Sequence, residues 1–382
     1  MSPASRYITC AGYEIHVTEW GAPDAPAVIA WHGLARTGRD MDELAAHLAA
    51  QGWRVVCPDT LGRGLSQWGR DPLHEYCLRF YARLAADLFD QLGIASAHWV
   101  GTSMGGAIGT VCASGLFAPQ LKGRIQSLVL NDNAPELSAL ALERIKAYAG
   151  QPPAFDTVTE LEAFFRQVYR PYGWLSDAQW RRLTETSTRR LGDGRVTPHY
   201  DPAMVQQFTH HADDYLIWEH YDALDIPVLC LRGAESDLVL PDTVAAMHQR
   251  GPGARGLLQV IEVPGCGHAP ALNVPEQLAW VAGFLQRSAA PRRVRVGMRL
   301  FATKIRAFNA GVDWLRGQKG CASQALTMPG ANGMGSAHHD GFYTPGHRLF
   351  CGCRAGQFFA FARYGGRGVA HRCHRGRVVA RH

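Results

Sequence analysis

Eight short apolar runs, most of them followed by a stretch of helical periodicity, constrain this 382-residue chain more than any other feature. Residues 7–10 and 15–19 flank Ala11-Gly12 and read as a hairpin, two strands joined at a tight turn. The runs 27–31, 54–58, 97–101, 125–131, 227–231 and 257–263 are largely apolar rather than strictly alternating, as strands covered on both faces are. Helical patterns lie at 41–51, 73–92, 105–117, 242–248 and 275–287. Strands that alternate with helices of this length imply a doubly wound α/β fold with a mostly parallel, eight-stranded sheet.

The alternation breaks between residues 135 and 225, where the pattern is nearly all helical, clearest at 161–169, 177–191 and 202–221, with no convincing strand. An inserted helical lid is the simplest account. The predicted division is therefore a core of residues 1–134 and 226–288, a lid of 135–225 and a tail of 289–382. A lid between the sixth and seventh strands would cover the carboxyl ends of the strands, where open α/β sheets bind ligands. Its aromatics are Phe164, Phe165, Tyr169, Tyr172, Trp174, Trp180, Phe208, Tyr215, Trp218 and Tyr221. Most should pack lid on core; Trp174, Trp218 and Tyr221 are the candidates for lining a pocket. Arg166, Arg170, Arg181 and Arg182 read as a solvated helix face, with a substrate carboxylate as the alternative partner.

Charge separates the tail from the rest. Of 39 Lys and Arg, 16 fall after residue 288, but only Asp313 and Asp340 of the 33 acids do, which leaves residues 1–288 at a net −8. That sign argues against nucleic acid as the core's partner. In the tail, Phe301, Ile305, Phe308, Val312 and Leu315 form one stripe of an amphipathic helix over 298–316, beyond which periodicity dissolves. A poorly ordered appendage is the expectation. Membrane or nucleic-acid attachment, or a zinc site from Cys351, Cys353, His371, Cys373 and His374, is the alternative, although these spacings are unlike common zinc-ligand pairs. No apolar run approaches the roughly 18–20 residues needed to span a bilayer, and residues 1–13 carry no secretory pattern. Six scattered cysteines (Cys10, Cys57, Cys77, Cys112, Cys230, Cys266) suit reduced, buried thiols in a cytoplasmic protein.

Chemistry concentrates at Gly101-Thr102-Ser103-Met104-Gly105, between the run 97–101 and a small-residue helical stretch. A serine flanked by glycines at a sharp strand-to-helix turn exposes its hydroxyl, and the backbone N–H that follows faces the place where an oxyanion would form. Such a serine needs a base, and the base an orienting carboxylate. His268 lies on a Gly-rich loop past the last strand, and Asp237 follows the seventh. Asp132, after the sixth strand, is the alternative acid. Trp31-His32-Gly33-Leu34 follows the third strand, where a backbone N–H can complete an oxyanion hole with that of Met104; the His32 side chain reads as structural.

With these motifs in order over residues 7–288, the chain resembles the lid-bearing serine hydrolases of the α/β-hydrolase fold, carboxylesterases and lactonases among them. Asp59-Thr-Leu-Gly62-Arg-Gly64-Leu-Ser66 adds to the likeness and reads as a structural turn. The resemblance implies Ser103 as nucleophile, His268 as base, Asp237 as acid and the N–H groups of Leu34 and Met104 as the oxyanion hole. It implies cleavage of small carboxylic esters or lactones through an acyl enzyme, with no metal or organic cofactor. A carbon–carbon bond hydrolase or perhydrolase on the same triad, and a non-catalytic binding protein, are the rival readings. A serine at this turn argues against the dehalogenase and epoxide-hydrolase branches, which use aspartate there.

Overall fold

The computed structural model describes residues 2–290. The expected helix over 298–316 and the Cys/His cluster of the tail lie outside them. Eight strands form one sheet: β1 (Ala4–Cys10), β2 (Tyr13–Trp20), β3 (Ala27–Trp31), β4 (Arg54–Pro58), β5 (Ala97–Thr102), β6 (Ile125–Asn131), β9 (Val228–Gly233) and β10 (Leu258–Val263). The remaining two, β7 (Thr188–Arg190) and β8 (Val196–Pro198), pair with each other. The order across the large sheet is β1-β2-β4-β3-β5-β6-β9-β10. β1 and β2 are an antiparallel hairpin, β2 pairs antiparallel with β4, and the rest are parallel. Ala11 and Gly12 both hold positive φ (51° and 83°), as the two central residues of a tight hairpin turn must.

Burial explains the apolar runs. Every residue of β3 and β4 is buried. Alternate side chains serve opposite faces: Ala27, Ile29 and Trp31 pack toward the helices Leu78–Gln91 and Met104–Ser114, whereas Val28 and Ala30 pack toward Asp42–Ala49 and Pro275–Ala289. The chain leaves β3 for β4 on one side and returns to β5 on the other. The carboxyl ends of β3 and β5 therefore form a topological switch point, the crevice where open sheets take ligands.

Residues 135–225 lie between β6 and β9 and depart from an all-helical insertion. The helices are Ala139–Ala149, Val158–Val168 and Asp177–Thr186, the last two opened by capping boxes at Thr157/Glu160 and Ser176/Gln179. The helical pattern over 177–191 stops at Thr186, and β7 and β8 follow, turning around Asp193-Gly194. Three-residue strands are too short to display an alternation. The stretch 202–221 likewise breaks into single turns, and 73–92 divides into Pro72–Glu75 and Leu78–Gln91. Leu161, Phe165, Tyr169, Trp180 and Val196 give the insertion a small core of its own. Cys10, Cys57, Cys77, Cys112, Cys230 and Cys266 are all buried and free. Among the described residues, no helix is long and apolar enough to cross a membrane.

Candidate active site

Ser103 sits between β5 and the helix Met104–Ser114 with φ 52° and ψ −119°. Such a backbone costs a non-glycine residue on the order of 1–3 kcal/mol. Surrounding contacts hold it there: the Ser103 N–H donates to the Asn131 carbonyl at 2.9 Å, and the Ser103 carbonyl accepts from Gly106 N–H at 2.8 Å. The turn admits no side chain two residues to either side of the serine. A Cβ on Gly101 would run into the Gly105 carbonyl, and a Cβ on Gly105 into the backbone of Trp31 and His32.

The end of β3 comes equally close. A Cβ on Gly33 would stand 3.6 Å from that of Ser103. His32 shapes this turn as a neutral imidazole. Thr60 N–H donates to its Nε2 at 3.0 Å, so the proton sits on Nδ1, which donates to the Gly33 carbonyl at 2.6 Å. Burial pushes its pKa down to about 4, in keeping with that tautomer. Leu34 lines the same cavity as Ser103, Met104 follows it in the chain, and the N–H groups of both donate to no backbone carbonyl among the described residues. Met104 opens its helix, so its N–H has no intrahelical acceptor.

His268 joins the serine to a carboxylate. Ser103 Oγ–H donates to His268 Nε2 at 2.9 Å, and His268 Nδ1–H donates to Asp132 Oδ2 at 2.7 Å. Asp132 directly follows β6 with φ 49° and is fully buried. Two further donors hold it: Gly233 N–H on Oδ1 at 2.8 Å and Ser236 Oγ–H on Oδ2 at 2.7 Å. Gly233 must be glycine, because a Cβ would strike the carbonyls of Cys266 and Gly267 in the loop that carries His268.

A cavity of about 290 Å³ opens onto Ser103 and His268. The insertion contributes Tyr148, Val168, Tyr169, Pro171 and Tyr172 to its wall, and the core contributes Leu34, Arg36 and Ala269. A serine hydroxyl hydrogen-bonded to an imidazole, the imidazole to a buried carboxylate, and two unpaired N–H groups alongside make a constellation for nucleophilic acyl transfer.

The α/β hydrolase fold family matches residues 26–274. The chain belongs to that family. This hydrolase is 38% identical over 297 residues to a 3-hydroxybutyrate-oligomer hydrolase of Cupriavidus necator, which spans 74% of this chain and 98% of that one. It is 27% identical over 273 residues to an esterase of Mycobacterium tuberculosis (69% and 83%). Among solved structures, an α/β hydrolase from Novosphingobium aromaticivorans superposes with a TM-score of 0.65 at 33% identity, over 75% of this chain and 99% of that one. Its relatives are hydrolases, esterases and an oligomer hydrolase, in keeping with a carboxylic ester hydrolase-like enzyme.

Two sequence expectations about the hydrolase's site need correction. Asp237 does not touch His268. Its side chain is 57% exposed at the cavity rim, where Arg144 Nη2 donates to its Oδ2 at 2.6 Å. The tight turn after β9 directs Ser236, one residue earlier, at Asp132, and so points Asp237 outward. The proposed lid aromatics are also elsewhere. Trp174 is 70% exposed, Trp218 donates its indole N–H to Glu136, and the buried Tyr221 donates its hydroxyl to the Met247 carbonyl. Among the aromatics of residues 135–225, Tyr148, Tyr169 and Tyr172 line the cavity.

Arg63 was hidden in the turn Asp59–Ser66. It is fully buried, with Nε donating to the Leu34 carbonyl at 3.0 Å and Nη1 to the Leu61 carbonyl at 2.6 Å. It therefore fixes the peptide that follows Leu34, while His32 holds the Gly33 carbonyl of the peptide that carries the Leu34 N–H. Nothing in a Gly-Arg-Gly sequence marks such a role. Burial pushes the Asp59 carboxyl up, but the hydrogen bonds from His16 and the Leu65 N–H help to hold it below its usual value. Asp59 also accepts from Gly38 N–H at 2.6 Å, as a structural turn would require.

Proposed function

We propose that this hydrolase cleaves small carboxylic esters through Ser103, His268 and Asp132, with the Leu34 and Met104 N–H groups as its oxyanion hole. The observation that carries the reading is the unbroken hydrogen-bond chain from Ser103 Oγ through His268 to a buried Asp132, 2.9 and 2.7 Å. His268 Nε2 takes the serine proton as Oγ attacks the ester carbonyl, and the two N–H groups receive the developing oxyanion. Each such donor lowers the barrier by roughly 3–4 kcal/mol in comparable sites. Collapse expels the alkoxide, which leaves as the alcohol with the proton from His268. Water then gives its proton to His268, attacks the acyl enzyme and frees the acid. Asp132 keeps its negative charge throughout and holds the imidazole in the productive tautomer. The residues 135–225 act as the lid that roofs the cavity.

The 38% identity to the 3-hydroxybutyrate-oligomer hydrolase of Cupriavidus necator supports 3-hydroxybutyrate oligomers as the substrate class, with lactones as the alternative. A fluorophosphonate probe should label the hydrolase at Ser103, and Ser103→Ala should abolish labelling. Hydrolysis of p-nitrophenyl esters of rising chain length should then decline once the acyl group outgrows the cavity. Absence of labelling would remove the proposal. Labelling without turnover of any ester would favour carbon–carbon bond cleavage on the same triad.

A further inference from the structure

Arg36 is buried in the cavity wall, 3% exposed, at the end of the turn that follows β3. A guanidinium offers two edges for bidentate hydrogen bonding. Asp40 occupies one, accepting from Nε and Nη2 at 2.6 Å each, and Nη2 also donates to Ser187 Oγ at 3.0 Å. Tyr169 lies against the guanidinium plane at 4.5 Å. On the other edge Ser187 takes the second Nη2 N–H, and Nη1 is buried and donates to no protein acceptor among the described residues. A buried arginine N–H without an acceptor is unfavourable and is relieved by any ligand oxygen that reaches it.

Tyr148 and Tyr172 line the same cavity, and burial pushes both phenols upward, so they are hydrogen-bond donors rather than phenolates. Neither hydroxyl is held by a protein side chain among the described residues. Arg36, Tyr148 and Tyr172 thus bring three donors to one cavity, whose carboxylates are Asp237, paired with Arg144, and the exposed Glu235. Arg166 and Arg182 offer no such group to this cavity. Arg166 is held by Glu162 and Asp177, Arg182 by Glu43, and neither lines the Ser103 cavity. Arg144 is matched by Asp237 at the rim.

We propose that Arg36, with Tyr148 and Tyr172, binds the free terminal carboxylate of the substrate, so that the preferred substrates are short hydroxyacid esters that end in an acid. The proposal rests on the ester-hydrolase reading of the same site. Its test compares the 3-hydroxybutyrate dimer as free acid with its methyl ester, using wild type, Arg36→Lys and Tyr148→Phe, with probe labelling of Ser103 and thermal melting run alongside.

Wild type should hydrolyse the free acid with the lower KM. Arg36→Lys keeps a charge for Asp40 but loses the Nη1 donor, so its kcat/KM should fall about tenfold further on the acid than on the ester. Tyr148→Phe should shift the same ratio in the same direction by a few-fold. Equal kcat/KM for acid and methyl ester in wild type, or equal losses on both in the variants, would overturn the proposal and reduce Arg36 to a pin between core and lid. Turnover of neither dimer would overturn it too, and normal labelling of Ser103 in that case would leave the ester-hydrolase reading intact.

Discussion

Asp132 and Asp237 look alike in the chain and could hardly differ more in the fold. Each follows a strand of the parallel sheet, and each lies between Ser103 and His268 in sequence. Asp132 is 0% exposed and receives three donors, from Gly233, Ser236 and His268; Asp237 is 57% exposed and meets Arg144. A buried carboxylate without donors is prohibitively costly, so the three hydrogen bonds are what allow Asp132 to hold charge beside an imidazole. An exposed pair such as Asp237–Arg144 is worth little and is screened by salt. Burial and donor count, rather than position in the chain, mark the carboxylate that serves the histidine.

The sharpest way to break this contrast is Asp132→Asn. It keeps the shape but lets the amide donate to His268, forcing the wrong tautomer, and should lower ester kcat by about 10⁴-fold. Gly233→Ala comes next. Its Cβ must displace the Cys266–Gly267 backbone, so His268 shifts and kcat/KM should fall on the order of 10²-fold; a near-normal value in steady-state assays would mean the His268 loop yields freely. Ser236→Ala removes one donor from Asp132 and leaves Leu238 and Val239 N–H without their hydroxyl acceptor. It should cost about 1–3 kcal/mol in urea melts, with a smaller loss of turnover.

Acid should sharpen the comparison between buried and exposed groups. His32 is held neutral, with its pKa near 4 against an unfolded 6.5. Its contribution is therefore complete above 6.5 and is lost as pH falls through 4, amounting to roughly 3 kcal/mol. His98, also pushed down to about 4 by burial, acts in the same direction. The melting temperature should drop between pH 7 and pH 5, and added salt should not restore it. The smallest effect belongs to Asp237→Asn, which should change kcat/KM less than about threefold, since only the Arg144 pair is lost.

The legible part of this fold was the part with a strong local signature. Parallel strands buried on both faces are apolar, and all eight strands of the large sheet were predicted within a few residues of their ends. The glycines around Ser103 announced a turn that only small residues survive. The acid was not legible, because the order serine, aspartate, histidine holds for Asp132 and Asp237 alike. What separates them is a contact across β6 and β9, where Ser236 and Gly233 meet the Asp132 carboxylate, and no local pattern records it. The cavity wall escaped for a similar reason. Trp174 and Tyr172 are equally aromatic, and only the course of the chain around Pro171–Gly173 decides that Tyr172 lines the Ser103 cavity while Trp174 faces water.

The rate at which Ser103 reacts separates the two aspartates most directly. Acylation by a fluorophosphonate probe reads the activation of its hydroxyl without any assumption about the natural substrate. Measured side by side, Asp237→Asn should label at nearly the wild-type rate and Asp132→Asn several orders of magnitude more slowly. Near-normal labelling of Asp132→Asn, or slow labelling of Asp237→Asn, would contradict the assignment.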